Sequence, residues 1–120
     1  MTLSEVTPES TVLIVNDDEE MRHILRLLCE QDGLEVVGEA PDSVQAVSLA
    51  LKHRPDVVIL DSVGPAPEGE GPAGVLRAVL PGVKVVAFAA SLEDRPTWAD
   101  AYLNRARIGA LMPLLHAFVR

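Results

Sequence analysis

The chain has 120 residues, 48% of them apolar and 23% charged, with a single cysteine and a formal net charge of −8. That suffices for one domain with its own core, and it excludes a disordered chain, an intrachain disulfide and a cysteine-clustered zinc site. The acidic balance disfavours direct nucleic-acid binding, which needs a basic surface to neutralise phosphates.

The apolar runs at 57–60 and 85–90 are the longest, far below the roughly 20 residues of a membrane span. Residues 1–10 lack the apolar core of a signal peptide and are expected to be a disordered lead-in to one domain over 11–120. A cytoplasmic location is expected. The acids are unevenly spread: residues 1–61 hold 13 of the 18 acids but 4 of the 10 bases.

In chain order, residues 11–15 are apolar and rich in β-branched side chains, which predicts a buried strand ended by Asn16, Asp17 and Asp18. Met21, Ile24, Leu25 and Leu28 then recur at helical spacing, so 19–30 reads as an amphipathic helix capped at Asp18 and stopped by Gly33. A second strand is predicted at 34–38. A second helix follows at 42–50, with Asp42 as N-cap and Gln45 three residues on. Residues 56–61 read as a strand buried on both faces and tipped by Asp61.

Four glycines and three prolines between 64 and 74 predict a long loop. A short helix at 73–80, a turn at Pro81-Gly82 and a fourth strand at 83–88 follow. Pro96 suits the first turn of a helix over 96–105, on which Trp98 and Tyr102 would share a face. Residues 108–112 are expected to form the fifth strand and 114–120 the last helix.

Strands alternating with helices five times imply an α/β fold. The expected architecture is a doubly wound, flavodoxin-like (βα)5 three-layer sandwich with a five-stranded parallel sheet. Ligands in such folds bind beyond the carboxyl ends of the strands, where Asp17, Asp18 and Asp61 fall. Carboxylates there suit a hard cation such as Mg²⁺, and a carboxylate can serve as a phosphoryl acceptor. Capping of the following helix is the simpler role for Asp18. No glycine-rich loop follows the first strand, which argues against a dinucleotide site or a P-loop. His23, His53 and His116 show no ligand spacing, and Cys29 falls on the apolar side of its helix.

The stretches Val12-Leu-Ile-Val-Asn-Asp-Asp-Glu19, Gly33-Leu-Glu-Val-Val-Gly-Glu-Ala40 and Arg54-Pro-Asp-Val-Val-Ile-Leu-Asp61 resemble the receiver domains of two-component response regulators, the CheY-like family. The middle stretch is most similar to regulators that carry a helix-turn-helix output domain. The resemblance implies that Asp61 is the phosphoacceptor and Asp17 a direct Mg²⁺ ligand. It further implies that Val63 gives the ion a backbone carbonyl and that Asn16, where an acid is usual, contacts it through water. Pro65 and Gly69 match loop positions, and Gly64 replaces a methionine.

Several positions depart from the family pattern. Ala89 stands where strand 4 normally ends in Thr or Ser, with Ser91 the nearby hydroxyl. Met112 is aligned with the lysine of strand 5, and Gly109 with its switch aromatic. The resulting expectation is a degenerate receiver with weak or absent Mg²⁺, acting through protein–protein contacts. The alternative is a conventional receiver phosphorylated on Asp61 by a histidine kinase with Mg²⁺. Expected partners are a histidine kinase or other signalling protein, and a second copy through residues 96–120.

Overall fold

The computed structural model describes residues 10–61, 72–89 and 99–118. Five parallel strands form one sheet: β1 (Thr11–Val15), β2 (Glu35–Ala40), β3 (Val57–Asp61), β4 (Lys84–Ala89) and β5 (Ala101–Asn104), in spatial order β2-β1-β3-β4-β5. Helices α1 (Glu19–Gln31), α2 (Ser43–His53), α3 (Pro72–Val79) and α4 (Leu111–Phe118) accompany them, and a 3₁₀ segment, Arg105–Ala110, precedes α4. The (βα)5 order is as expected. The chain winds one way from β1 to β2 and the other way from β3 onward, so the crevice of the fold lies between the tips of β1 and β3.

Each strand divides its side chains between two apolar layers. Val12, Ile14, Val57, Ile59, Val86, Phe88 and Leu103 pack with Leu25 and Cys29 of α1 and with Leu111 and Leu115 of α4. Leu13, Val15, Val58, Leu60 and Val85 pack with Ala46 and Ala50 of α2 and with Ala73 and Leu76 of α3. Burial on both faces accounts for the unbroken apolar runs of β1 and β3.

Local signals set the helix ends. Asp18 caps α1, its carboxylate accepting from the Glu20 and Met21 amides. Asp42 caps α2 by accepting from the Gln45 amide at 2.9 Å. Gly33 follows α1 at φ +85°, a conformation that glycine adopts without steric cost.

The sheet is also tied at the end opposite the crevice. Asp56 Oδ2 accepts from the Thr11 amide at 3.0 Å and from its hydroxyl at 3.2 Å. Asp100 Oδ2 accepts from the Val85 amide at 2.8 Å and from Arg77 Nη2 at 2.7 Å, while the Asp100 amide donates back to the Val85 carbonyl.

The last third differs from the sequence-based expectation. Residues 101–104, expected in a helix, form β5, whose Ala101 and Asn104 pair with Val86 and Ala89. Residues 108–112, expected to be the fifth strand, lie in the 3₁₀ segment and the first turn of α4. The cause is an edge position. β5 pairs on one side, and Leu103 is its one buried residue, so no continuous apolar run marks it. Leu111 and Leu115 are both fully buried and four apart, which is helical spacing. Pro113 is accommodated because it stands in the first turn, where no amide partner is required.

Two predictions follow from this packing. Leu76→Ala should cost about 2–5 kcal/mol in urea denaturation, whereas Val44→Ala, on the exposed side of α2, should change stability by less than about 0.5 kcal/mol. The Cys29 thiol is fully buried, and its pKa is pushed up to about 12 by burial and, to a lesser extent, by the nearby Glu30 and Asp32 charges. It should resist a thiol reagent at neutral pH in the native protein and react on unfolding, as followed by absorbance of the released chromophore.

Candidate functional site

The carboxyl ends of β1 and β3 supply the polar groups of the crevice. Val15 pairs with Leu60, so Asn16 follows on one strand where Asp61 follows on the other. Asp61 pairs in turn with Phe88, and Phe88 with Leu103. By strand alternation this row faces the layer of α1 and α4. Phe88 and Leu103 pack into that layer, while Asn16 and Asp61 bring polarity to its upper rim.

Asp61 is largely enclosed, with its side chain 8% exposed, and its Oδ1 accepts from Arg105 Nη2 at 3.2 Å. The Arg105 guanidinium lies 5.7 Å from the centroid of the Phe88 ring, a cation–π contact that helps hold it over the strand tips. Burial raises the Asp61 pKa above the usual aspartate value. Arg105 opposes that shift, and the neighbouring charges of Asp17 and Asp18 add to it.

The three acids of the crevice are not equivalent. Asp18 Oδ1 is committed to the amides of α1, as the capping role anticipated. Asp17 is exposed. Asn16 is 2% exposed and is the one buried polar residue among the described residues. Its Oδ1 accepts from the Asp18 amide at 2.8 Å, and its carbonyl oxygen accepts from Arg22 Nη1 at 2.7 Å. Arg22 also pairs with Glu39 of β2 at 3.5 Å, so α1 and β2 together hold the loop in place. Asn16 Nδ2 and Arg105 Nε are buried and unpartnered among the described residues.

For a divalent cation this donor set fits in part. The Asp17 and Asp61 carboxylates are hard oxygen donors whose mutual repulsion a cation would relieve. Asn16 does not present its oxygen in the arrangement seen, because Oδ1 is already used by the Asp18 amide. Among the described residues, no group of three His, Cys, Asp or Glu side chains is placed to hold a metal. Val63, Gly64, Pro65, Gly69, Ser91 and Trp98 lie outside the described residues.

Two of the positions read as degenerate need correction. Met112 is in α4 and Gly109 in the 3₁₀ segment, so neither belongs to the sheet. Arg105 immediately follows β5 and reaches Asp61, and Tyr102 is an aromatic within β5, paired with Ala87. Placing the last strand at 108–112 rather than 101–104 displaced both assignments by seven positions. The available signal was Tyr102-Leu-Asn-Arg105, an aromatic three residues before a cation. Ala89 does end β4, as expected.

The family profile of the response regulator receiver domain matches residues 12–105. The chain belongs to the receiver-domain family of two-component response regulators and has the general receiver role in phosphorelay signalling. It is 38% identical over 116 residues to the transcriptional regulatory protein PdtaR of Mycobacterium tuberculosis, covering 90% of this chain and 56% of that protein. It is 34% identical over 87 residues to a protein-glutamate methylesterase/protein-glutamine glutaminase of Hahella chejuensis, covering 72% of this chain and 25% of that protein. The chain thus spans from about a quarter to about half the length of these relatives.

Among solved structures, the response regulator TrrA of Thermotoga maritima, crystallised in complex with Mg²⁺-BeF, superposes with a TM-score of 0.78 at 23% identity, covering 91% of this chain and 98% of that one. The response regulator domain of Thermotoga maritima CheB gives 0.73 at 21%, covering 92% and 94%. These likenesses establish the fold. No helix among the described residues is long and apolar enough to cross a membrane.

The raised Asp61 pKa has a signed consequence. In the folded protein the charged carboxylate is disfavoured, so its cost is absent below the unfolded pKa and grows as pH rises through the folded one. In EDTA, Asp61→Asn should therefore be more stable than the wild type at pH 7.5. That advantage should shrink as the pH is lowered towards 4, as measured by urea denaturation at each pH.

Proposed function

We propose that Asp61 is the phosphoacceptor of this receiver and that Arg105 is the cation that steadies the transferred group. The observation that carries this reading is the 3.2 Å contact between Arg105 Nη2 and Asp61 Oδ1. It puts a fixed positive charge beside an enclosed carboxylate in the crevice of the fold.

In the proposed reaction a carboxylate oxygen of Asp61 attacks the phosphorus of a phosphohistidine on a histidine kinase. An O–P bond forms as the N–P bond breaks, and the imidazole leaves with the electron pair. Positive charge beside the equatorial oxygens is the main service a protein can give such a transfer, and Arg105 supplies it. Mg²⁺, where bound, would neutralise charge between the carboxylates and the phosphoryl oxygens, with Asp17 and Asp61 as its direct ligands and Val63 as the further contact the family resemblance implies; Asn16 would join them only by releasing the Asp18 amide from its Oδ1. Tyr102 and Arg107 line a cleft of about 620 Å³ between β5 and α4, the face through which a partner protein or second copy would be engaged.

A second reading, a receiver that signals by contact without phosphotransfer, draws support from Asn16 in place of an acid and Ala89 in place of a hydroxyl. It has lost the support of Met112 and Gly109. Intact-mass measurement after incubation with acetyl phosphate and Mg²⁺ separates the two. A gain of about 80 Da is expected for the phosphorylated wild type and none for Asp61→Asn. Arg105→Ala should slow its formation by about 10²–10³-fold, the typical cost of removing one preorganised donor. Absence of the adduct in the wild type would favour the contact-only reading.

A further inference from the structure

We propose that Arg105 and Asn16 bias the resting pocket against a divalent cation, the guanidinium acting as a built-in competitor that the cation must displace from Asp61. The inference rests on Asp61 being the functional carboxylate, as proposed above.

Arg105 Nη2 already occupies Asp61 Oδ1, one of the oxygens a cation would need. The guanidinium has its own seat over the Phe88 ring, so expelling it means breaking two favourable contacts. A cation at Asp61 and an arginine on the same carboxylate also repel each other at short range.

Asn16 adds to the bias. Its Oδ1 is locked by the Asp18 amide at 2.8 Å. Turning the carboxamide over would set its NH₂ group against that amide, donor against donor. The buried end left over is therefore Nδ2, a donor with no acceptor among the described residues. An amide nitrogen carries the positive end of the group dipole and cannot accept from cation-bound water. Arg105 Nε is a second buried donor in the same condition. An oxygen-rich anion, such as a phosphoryl group on Asp61, suits unfilled donors. A cation suits neither. Asp17 is the opposing influence, since its exposed carboxylate attracts cations.

The test is Mg²⁺ titration of the whole chain, read by amide chemical shifts of residues 16–18 and 61 and by calorimetry. The wild type should bind with a Kd weaker than about 1 mM, while Asn16→Asp and Arg105→Ala should each bind about tenfold more tightly, and Arg105→Lys should stay close to the wild type. Arg105→Gln removes the charge while keeping a long polar side chain, and serves if Arg105→Ala does not fold. Binding below about 0.1 mM in the wild type, or affinity unmoved by both the Asn16 and Arg105 substitutions, would overturn the proposal. Because the readout is cation binding, a wild type that takes no phosphoryl group yet shows these affinity changes would refute the phosphoacceptor reading alone.

Discussion

Burial of β1 and β3 on both faces is the constraint on which the rest depends. Side chains between two apolar layers must themselves be apolar, so a polar group on these strands can stand only at an end. Thr11 and Asp56 hold one end. Asn16 and Asp61 stand at the other, where the reversal of strand order places the crevice. The pocket is thus where the fold tolerates charge, and Asp61 is held there at a cost that burial imposes and Arg105 only partly offsets.

Much of the first two thirds was legible because its signals are local or strictly periodic. Asp18 and Asp42 are caps whose partners lie within three residues. The runs in β1 and β3 are apolar without interruption, which few structures other than a covered parallel strand produce at that length. Asp61 was found because it ends such a run.

The last third hid for the opposite reason. β5 is an edge strand of four residues with one buried side chain, and its identity comes from pairing with β4, a relation that sequence spacing does not carry. The apolar stretch around Leu111 looked more strand-like than β5 itself, yet its buried residues recur at four. Placing the strand there made Met112 and Gly109 appear to be missing functional groups. Seven positions earlier stand Arg105, a cation beside Asp61, and Tyr102, an aromatic within β5. The orphaned amide of Asn16 could not have been anticipated either, because it depends on which atom of the carboxamide the Asp18 amide engages.

The attachments of β5 make it behave as a cantilever. Its root is clamped, since Asp100 is bonded to both the amide and the carbonyl of Val85 and to Arg77 of α3. Its far end is latched through Arg105 to the largely enclosed carboxylate of Asp61. Beyond the latch the chain turns directly into the 3₁₀ segment and α4, and His116 of α4 in turn contacts Asp32 at the end of α1. Under the proposed phosphorylation of Asp61, a change of load at the latch would act on a strand fixed at its root, with the 3₁₀ segment and α4 next along the chain.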